Sequence, residues 1–322
     1  MQEEAMGEWE VPEHLLRLAA QAAKPDLQPA RLRERFGAAE QVRIEEGQVW
    51  RARWNGAVVL VLVLDVGDRD VRAVPLTLDP PAEDESCLVL DGQRSVFGVD
   101  VTVWAGMVQT VPVRVLDQVL DAWDSDLVGC TRAVAQGRPG DPAAGMRAGS
   151  APGSLFEDSV ALRAELEDDL AELQAAPGLA SAAGVSPAQG SLAVLLGGRP
   201  DIAELTKALG KPQSQVMAIL RGKRLLEPED IASLARATGL SQEEIADTVQ
   251  PLPEDLVEAV EHPRWRPVMT HLAKHGAGGE AQARLRAGYG AFALAARETG
   301  GSSPDWDARL KQFLAGQVQG EA

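Results

Sequence analysis

The chain has 322 residues, room for two or three domains, and its 45% hydrophobic and 25% charged residues are the balance of a soluble globular protein. A formal net charge of −17 argues against a surface built throughout for nucleic acid, and two cysteines, Cys87 and Cys130, make neither a disulfide framework nor a zinc site. The acidic start MQEEAMGEWE lacks the regions of a signal peptide, and no apolar run approaches the ~18 residues of a membrane span, so a cytoplasmic protein without membrane contact is expected.

Residues 1–40 read as a helical lead. Leu15, Leu16, Leu18, Ala19 and Ala22 form an apolar stripe, and Leu32 and Phe36 suggest a short second helix after Pro29. Residues 45–125 change to strand patterning. In GQVWRARW, Val49, Arg51 and Arg53 alternate with Trp50, Ala52 and Trp54. Asn55-Gly56 is a strong hairpin signal, and the aliphatic run Ala57 to Leu64 reads as a buried strand. Val71 to Leu78 is a further strand, with Pro75 pushing its end toward an edge or bulge. SCLVL, GVDVTVWAG and VQTVPVRVL supply more short strands. Such closely spaced strands predict a small barrel.

Gly47-Gln48-Val49-Trp50, the apolar strand and Val74-Pro75-Leu76-Thr77 resemble the start of the MazF/PemK/Kid toxin barrel. The resemblance implies an SH3-like fold and RNA cleavage by an Arg from an Arg-Pro motif with a Thr or Ser. Thr77 matches the second of these. No Arg-Pro precedes the Ala57 strand, and Arg51, Arg53 and Arg94 are the cations that could take its part. A barrel reused as a scaffold or protein-binding module is the competing reading.

Residues 126–153 read as a linker, because Gly137 to Gly153 holds five Gly and three Pro in seventeen positions. A helix is predicted over 154–175 from Leu155, Leu162, Leu166, Leu170 and Leu173. Its other face is acidic, with Glu157, Asp158, Glu165, Glu167, Asp168, Asp169 and Glu172. That face is either solvated or a surface for a protein partner. Ser186 to Gly198 holds a short helix that packs ahead of the next motif.

Ile202 to Arg224 reads as two short helices about a tight turn. Leu205 and Leu209 share a face of the first, Gly210 suits a turn with positive φ, and Pro212 suits the first turn of the second. Val216, Ile219 and Leu220 form the second helix's apolar face. Its outer face carries Gln213, Ser214, Gln215 and Arg221, flanked by Lys207, Lys211, Lys223 and Arg224. Amides match an adenine edge, and cations match phosphate or guanine. From Asp201 to Arg224, five cations (Lys207, Lys211, Arg221, Lys223, Arg224) against two acids (Asp201, Glu204) give 5 − 2 = +3, a basic island in an acidic chain.

The stretch resembles the helix-turn-helix of phage-repressor (XRE-type) regulators. Gly210, Val216 and Ile219 match that motif's turn glycine and second-helix core, and Leu220 to Ile245 resembles the family's continuation. Thr206 departs from it, standing where the family has a small Ala, and fits if its hydroxyl bonds the backbone. The resemblance implies double-stranded DNA as partner, Lys211, Gln213, Ser214, Gln215, Arg221, Lys223 and Arg224 as contacts, and a homodimer held by helices that follow the motif. The plainer alternative is an ordinary helical hairpin with a solvated basic edge.

Ser241 and Glu244 have capping-box spacing, and residues 251–322 read as further helices. His271 and His275 have the spacing of two zinc ligands, but Leu272 stands where a metalloprotease has Glu, so no metal and no cofactor is expected. The fold class expected is α+β and multi-domain, an N-terminal SH3-like barrel followed by an all-α helix-turn-helix domain. The function expected is sequence-specific transcriptional regulation, of a toxin–antitoxin-like operon. A toxin-like endoribonuclease that regulates itself, and an adaptor without nucleic-acid activity, stand as alternatives.

Overall fold

The computed structural model describes residues 30–37, 41–78, 82–138, 142–152, 158–179, 192–197, 201–221, 226, 228–246, 248, 252–275, 279–295 and 304–320. The chain divides into two units, residues 1–43 and 44–322. In the first, helix α1 (Ala30–Phe36) follows Pro29, and the Arg35 guanidinium lies 5.1 Å from the centre of the Phe36 ring. The expected helix around Leu15 to Ala22 lies outside the described residues.

The second unit is α+β. Its strands are β1 (Gln48–Trp54), β2 (Ala57–Val66), β3 (Asp70–Thr77), β4 (Leu88–Leu90), β5 (Val101–Val103), β6 (Gln109–Pro112), β7 (Leu116–Ala122) and β8 (Met146–Ala148). The β1–β2 hairpin closes with Trp54 opposite Ala57. Asn55 and Gly56 both have positive φ, 44° and 106°, as a two-residue primed turn requires. All pairings are antiparallel, in the order β7-β1-β2-β3-β5-β4-β8, with β6 on β3. Along its outer side β3 pairs with β6 up to Ala73 and with β5 from Leu76. Pro75 thus sits at the gap between two partners rather than on an edge, where its missing N–H removes no ladder bond.

The sheet is open. Among the described residues nothing pairs β7 with β8, so the expected barrel does not close. A helix covers the face that closure would have covered. Helix α2 (Ser125–Ala135) buries Leu127, Val128 and Cys130 against Val49, Leu62, Leu64, Val74, Leu88 and Val103. All of it but Ser125 lies within the stretch expected as linker, residues 126–153, which also supplies β8, paired with β4. Asp124 starts α2 by accepting from Leu127 N at 3.0 Å and Asp126 N at 3.2 Å, satisfying two orphan donors of the first turn.

Gly47 fixes the start of β1. Its φ is +83°, and a Cβ there would stand 2.9 Å from the Trp123 carbonyl oxygen. Its N–H donates to Val63 and its carbonyl accepts from Trp123, which ties β1 to β2 and to the end of β7.

Helix α3 (Asp158–Gln174) packs on β1, β2 and β6 through the side that buries Leu166, Leu170 and Leu173. Glu165, Glu167 and Asp168 stay exposed on the other. Short helices follow: α4 (Leu192–Leu195), α5 (Ile202–Leu209), α6 (Gln213–Leu220), α7 (Pro228–Thr238) and α8 (Gln242–Ala246). The last four are α9 (Glu254–Glu261), α10 (Arg266–His275), α11 (Gly279–Ala295) and α12 (Trp306–Gly320). They close on a core of Leu256, Val260, Trp265, Met269, Ala287, Trp306 and Leu310, which Leu179 joins from the segment after α3. Arg266 reaches from this layer to the sheet, donating to the carbonyls of Arg53, Arg114 and Val115. No helix among the described residues is long and apolar enough to cross a membrane.

Candidate nucleic-acid interface

The helix pair α5–α6 is built from local signals. Asp201 caps α5, its carboxylate accepting from Ala203 N at 2.9 Å and Glu204 N at 3.1 Å. Gly210 ends α5 at φ 62° and ψ 23°, with its N–H bonded to the Thr206 carbonyl, the left-handed stop that a Cβ disfavours. The Thr206 hydroxyl donates to the Ile202 carbonyl at 2.7 Å, so the departure from Ala costs no unpaired polar group. Pro212 stands one position earlier than expected, at the N-cap of α6 in an extended conformation, where its missing donor is equally harmless.

Both helices rest on one core: Leu192, Leu205, Val216, Ile219, Leu220, Leu226, Leu234 and Ile245. The last of these belongs to α8, whose start is a complete capping box. Ser241 N donates to Glu244 at 2.9 Å, and Glu244 N donates to the Ser241 hydroxyl at 3.2 Å.

Outward from that core, Gln213 and Ser214 are exposed at the N-terminal end of α6, Gln215 is half-buried beside them, and Arg221 is exposed at the far end. Lys207 is exposed on α5. Lys211 is engaged inside the protein, with its ammonium 2.5 Å from the buried carboxylate of Asp230 on α7. Lys223 and Arg224 lie outside the described residues. Sequence reading missed the Lys211–Asp230 pair, because nothing local marks two side chains on different helices as partners.

No family model, curated protein or solved structure matches this chain.

The sheet holds the other candidate residues in structural roles. Thr77 is 9% exposed, and its hydroxyl accepts from the Trp104 indole N–H at 3.0 Å. Arg51 forks onto Asp117 at 2.8 and 2.9 Å, Arg53 stands 3.7 Å from the same carboxylate, and Arg94 pairs with Asp124 at 2.8 Å. Each cation considered in place of the toxin Arg is thus held by a carboxylate. Cys87 is buried and donates to Asp84 at 3.3 Å; burial pushes its thiol pKa up, far from a reactive thiolate.

Among the described residues no group of three His, Cys, Asp or Glu side chains can hold a metal. His271 is exposed on α10, and the His275 side chain lies outside the described set. His262 is a capping residue, its Nδ1 accepting from Arg264 N at 3.2 Å. Burial, with the Arg264 charge adding, pulls its pKa down to about 4.

A further group of charged residues was not legible in the sequence. Arg114, Glu261 and Arg266 come from three separate elements and meet the Glu280–Arg284 pair of α11, largely buried, where the sheet adjoins the last four helices.

Proposed function

We propose that the protein is a sequence-specific DNA-binding transcriptional regulator that reads double-stranded DNA with α6. The observation that supports this best is the outer face of α6. Gln213 and Ser214 are exposed at its N-terminal end and Arg221 at its other end, on a helix backed by a closed apolar core. Helices of this kind enter the major groove by their N-terminal residues. Gln213, with Gln215 beside it, suits a bidentate bond to an adenine edge, and Ser214 to either base of a pair. Arg221, with Lys207 on α5, suits phosphates, as do Lys223 and Arg224. On this reading Lys211 acts inside the protein, fixing α5–α6 to α7 through Asp230. The regulator acts as a cytoplasmic homodimer on half-sites about one helical turn apart, in an operon of toxin–antitoxin type. The open sheet serves as a scaffold related to the SH3-like toxin barrels, and the acidic face of α3 is left for a protein partner.

Selection of binding sites from random duplexes at low salt tests the reading. One sequence class should be enriched. Gln213→Ala should relax preference at one position by about 1–3 kcal/mol. Arg221→Ala should weaken binding to every sequence and lower the salt slope by about one. Failure to enrich any sequence removes the DNA-reading role.

A further inference from the structure

A cleft of about 420 Å³ opens between Arg69, Asp70, Thr110, Pro112, Arg114, Gln174, Ala176 and Gly178, a volume in the range of small-molecule sites. Two guanidiniums reach it from different parts of the sheet. Arg69, between β2 and β3, donates to the Leu179 carbonyl at 2.6 Å and stands 3.6 Å from Glu261. Arg114, in the 3-10 turn Val113–Val115, donates to the Pro177 carbonyl and pairs with Glu261. Arg114 is 2% exposed, yet its Nε–H meets no acceptor among the described residues. Buried donors are rarely left so.

Arg69 and Arg114 share the single carboxylate of Glu261. Behind them Arg266 and Arg284 share Glu280, at 3.4 and 2.9 Å. Asp70 is exposed and belongs to the rim. Position 178 has no side chain where one would crowd both cations: a Cβ there would stand 3.0 Å from Arg114 Nη2 and 3.3 Å from Arg69 Nη2. Glycine therefore keeps open an approach to two guanidiniums, of which Arg114 has its buried Nε–H without an acceptor among the described residues.

We propose that this cleft binds the oxyanion group, phosphate or carboxylate, of a small organic molecule, held by Arg69 and Arg114 with Thr110 and Gln174 alongside. The planar guanidinium fork matches either anion. Gln174 already spans the cleft edge, its amide donating to Gln109 Oε1 at 2.9 Å and to the Thr110 carbonyl at 3.3 Å, so its role is to shape the wall. The proposal does not depend on DNA binding.

Calorimetric titration of the full chain with inorganic phosphate and, separately, acetate tests it, with sodium chloride at matched ionic strength as the reference. Saturable binding of phosphate or acetate in the millimolar range is expected, and the stronger of the two names the class of ligand. Arg69→Met should weaken it at least tenfold, and Gly178→Ala should weaken it by narrowing the approach. Absence of saturable binding by both anions, or an equal response to chloride, overturns the site. So does wild-type affinity in Arg69→Met. Should Arg69→Met fail to fold through loss of the Leu179 bond, Gly178→Ala and Thr110→Val decide, and unchanged affinity in both overturns it.

Discussion

Glu261, at the C-terminal end of α9, is fully buried and pairs with the guanidinium of Arg114, itself buried in the 3-10 turn ahead of β7. The pair joins the helical layer to the sheet, and Glu261 also accepts from Leu179 N at 2.9 Å. Burial pulls the Arg114 pKa down to about 10, with Glu261 acting against that fall, so the guanidinium stays charged at neutral pH. Removing the carboxylate leaves a buried cation without its counter-charge. Glu261→Ala should cost about 3–5 kcal/mol in urea unfolding. The sheet tryptophans Trp50 and Trp104 and the helical Trp265 and Trp306 should then report one shared loss of stability. Wild-type stability in this variant, or a loss confined to the helices, contradicts the coupling.

Gly210 ends α5 in the left-handed region, and nothing lies within 4 Å of the position its Cβ would take. A substitution there is penalised through backbone conformation alone. Gly210→Ala should destabilise the chain by about 1–2 kcal/mol, and Gly210→Asn by less, because Asn tolerates that region. Thermal unfolding of both variants checks the order; Ala matching glycine counts against a left-handed stop.

Lys211 and Asp230 should show a coupling energy. The Asp230 side chain is 6% exposed and Lys211 24%, so the pair is shielded more than a surface bridge. Lys211→Ala should cost about 1–3 kcal/mol. A double-mutant cycle with Asp230→Ala should return a coupling of about 0.5–3 kcal/mol. Additive single effects would return Lys211 to the set of free cations available to DNA.

His262 sets a pH dependence. Burial lowers its pKa to about 4, from an ordinary 6.5. Above pH 6.5 both folded and unfolded chains hold it neutral, and its contribution is constant. Below 6.5 the unfolded chain takes up a proton that the folded chain refuses until about pH 4. Stability therefore falls as pH drops through that window, by at most ~1.4 kcal/mol per pH unit. Melting temperature against pH, compared between wild type and His262→Asn, isolates this slope from that of the carboxylates. Parallel curves between pH 4 and 6.5 refute it.

What the sequence by itself determined is what short-range geometry decides. Asn55-Gly56 closes the β1–β2 hairpin, Gly210 stops α5, Ser241 and Glu244 cap α8, and Leu166, Leu170 and Leu173 make the buried side of α3. Each rests on residues within a few positions of one another. The start of α2 was equally local, in Asp124 followed by Leu127, Val128 and Thr131, but the Gly and Pro that follow it outweighed the signal. Tertiary structure alone decided the rest. β3 divides its outer side between β6 and β5, and α2 rather than strand pairing covers the inner face, so the sheet stays open. Lys211 turns inward to Asp230, and Arg114 finds Glu261 across the whole intervening chain. A charged residue reads as exposed in a sequence because burying it alone is too costly. It is buried when a distant partner arrives with the opposite charge, and the fold is what brings that partner near.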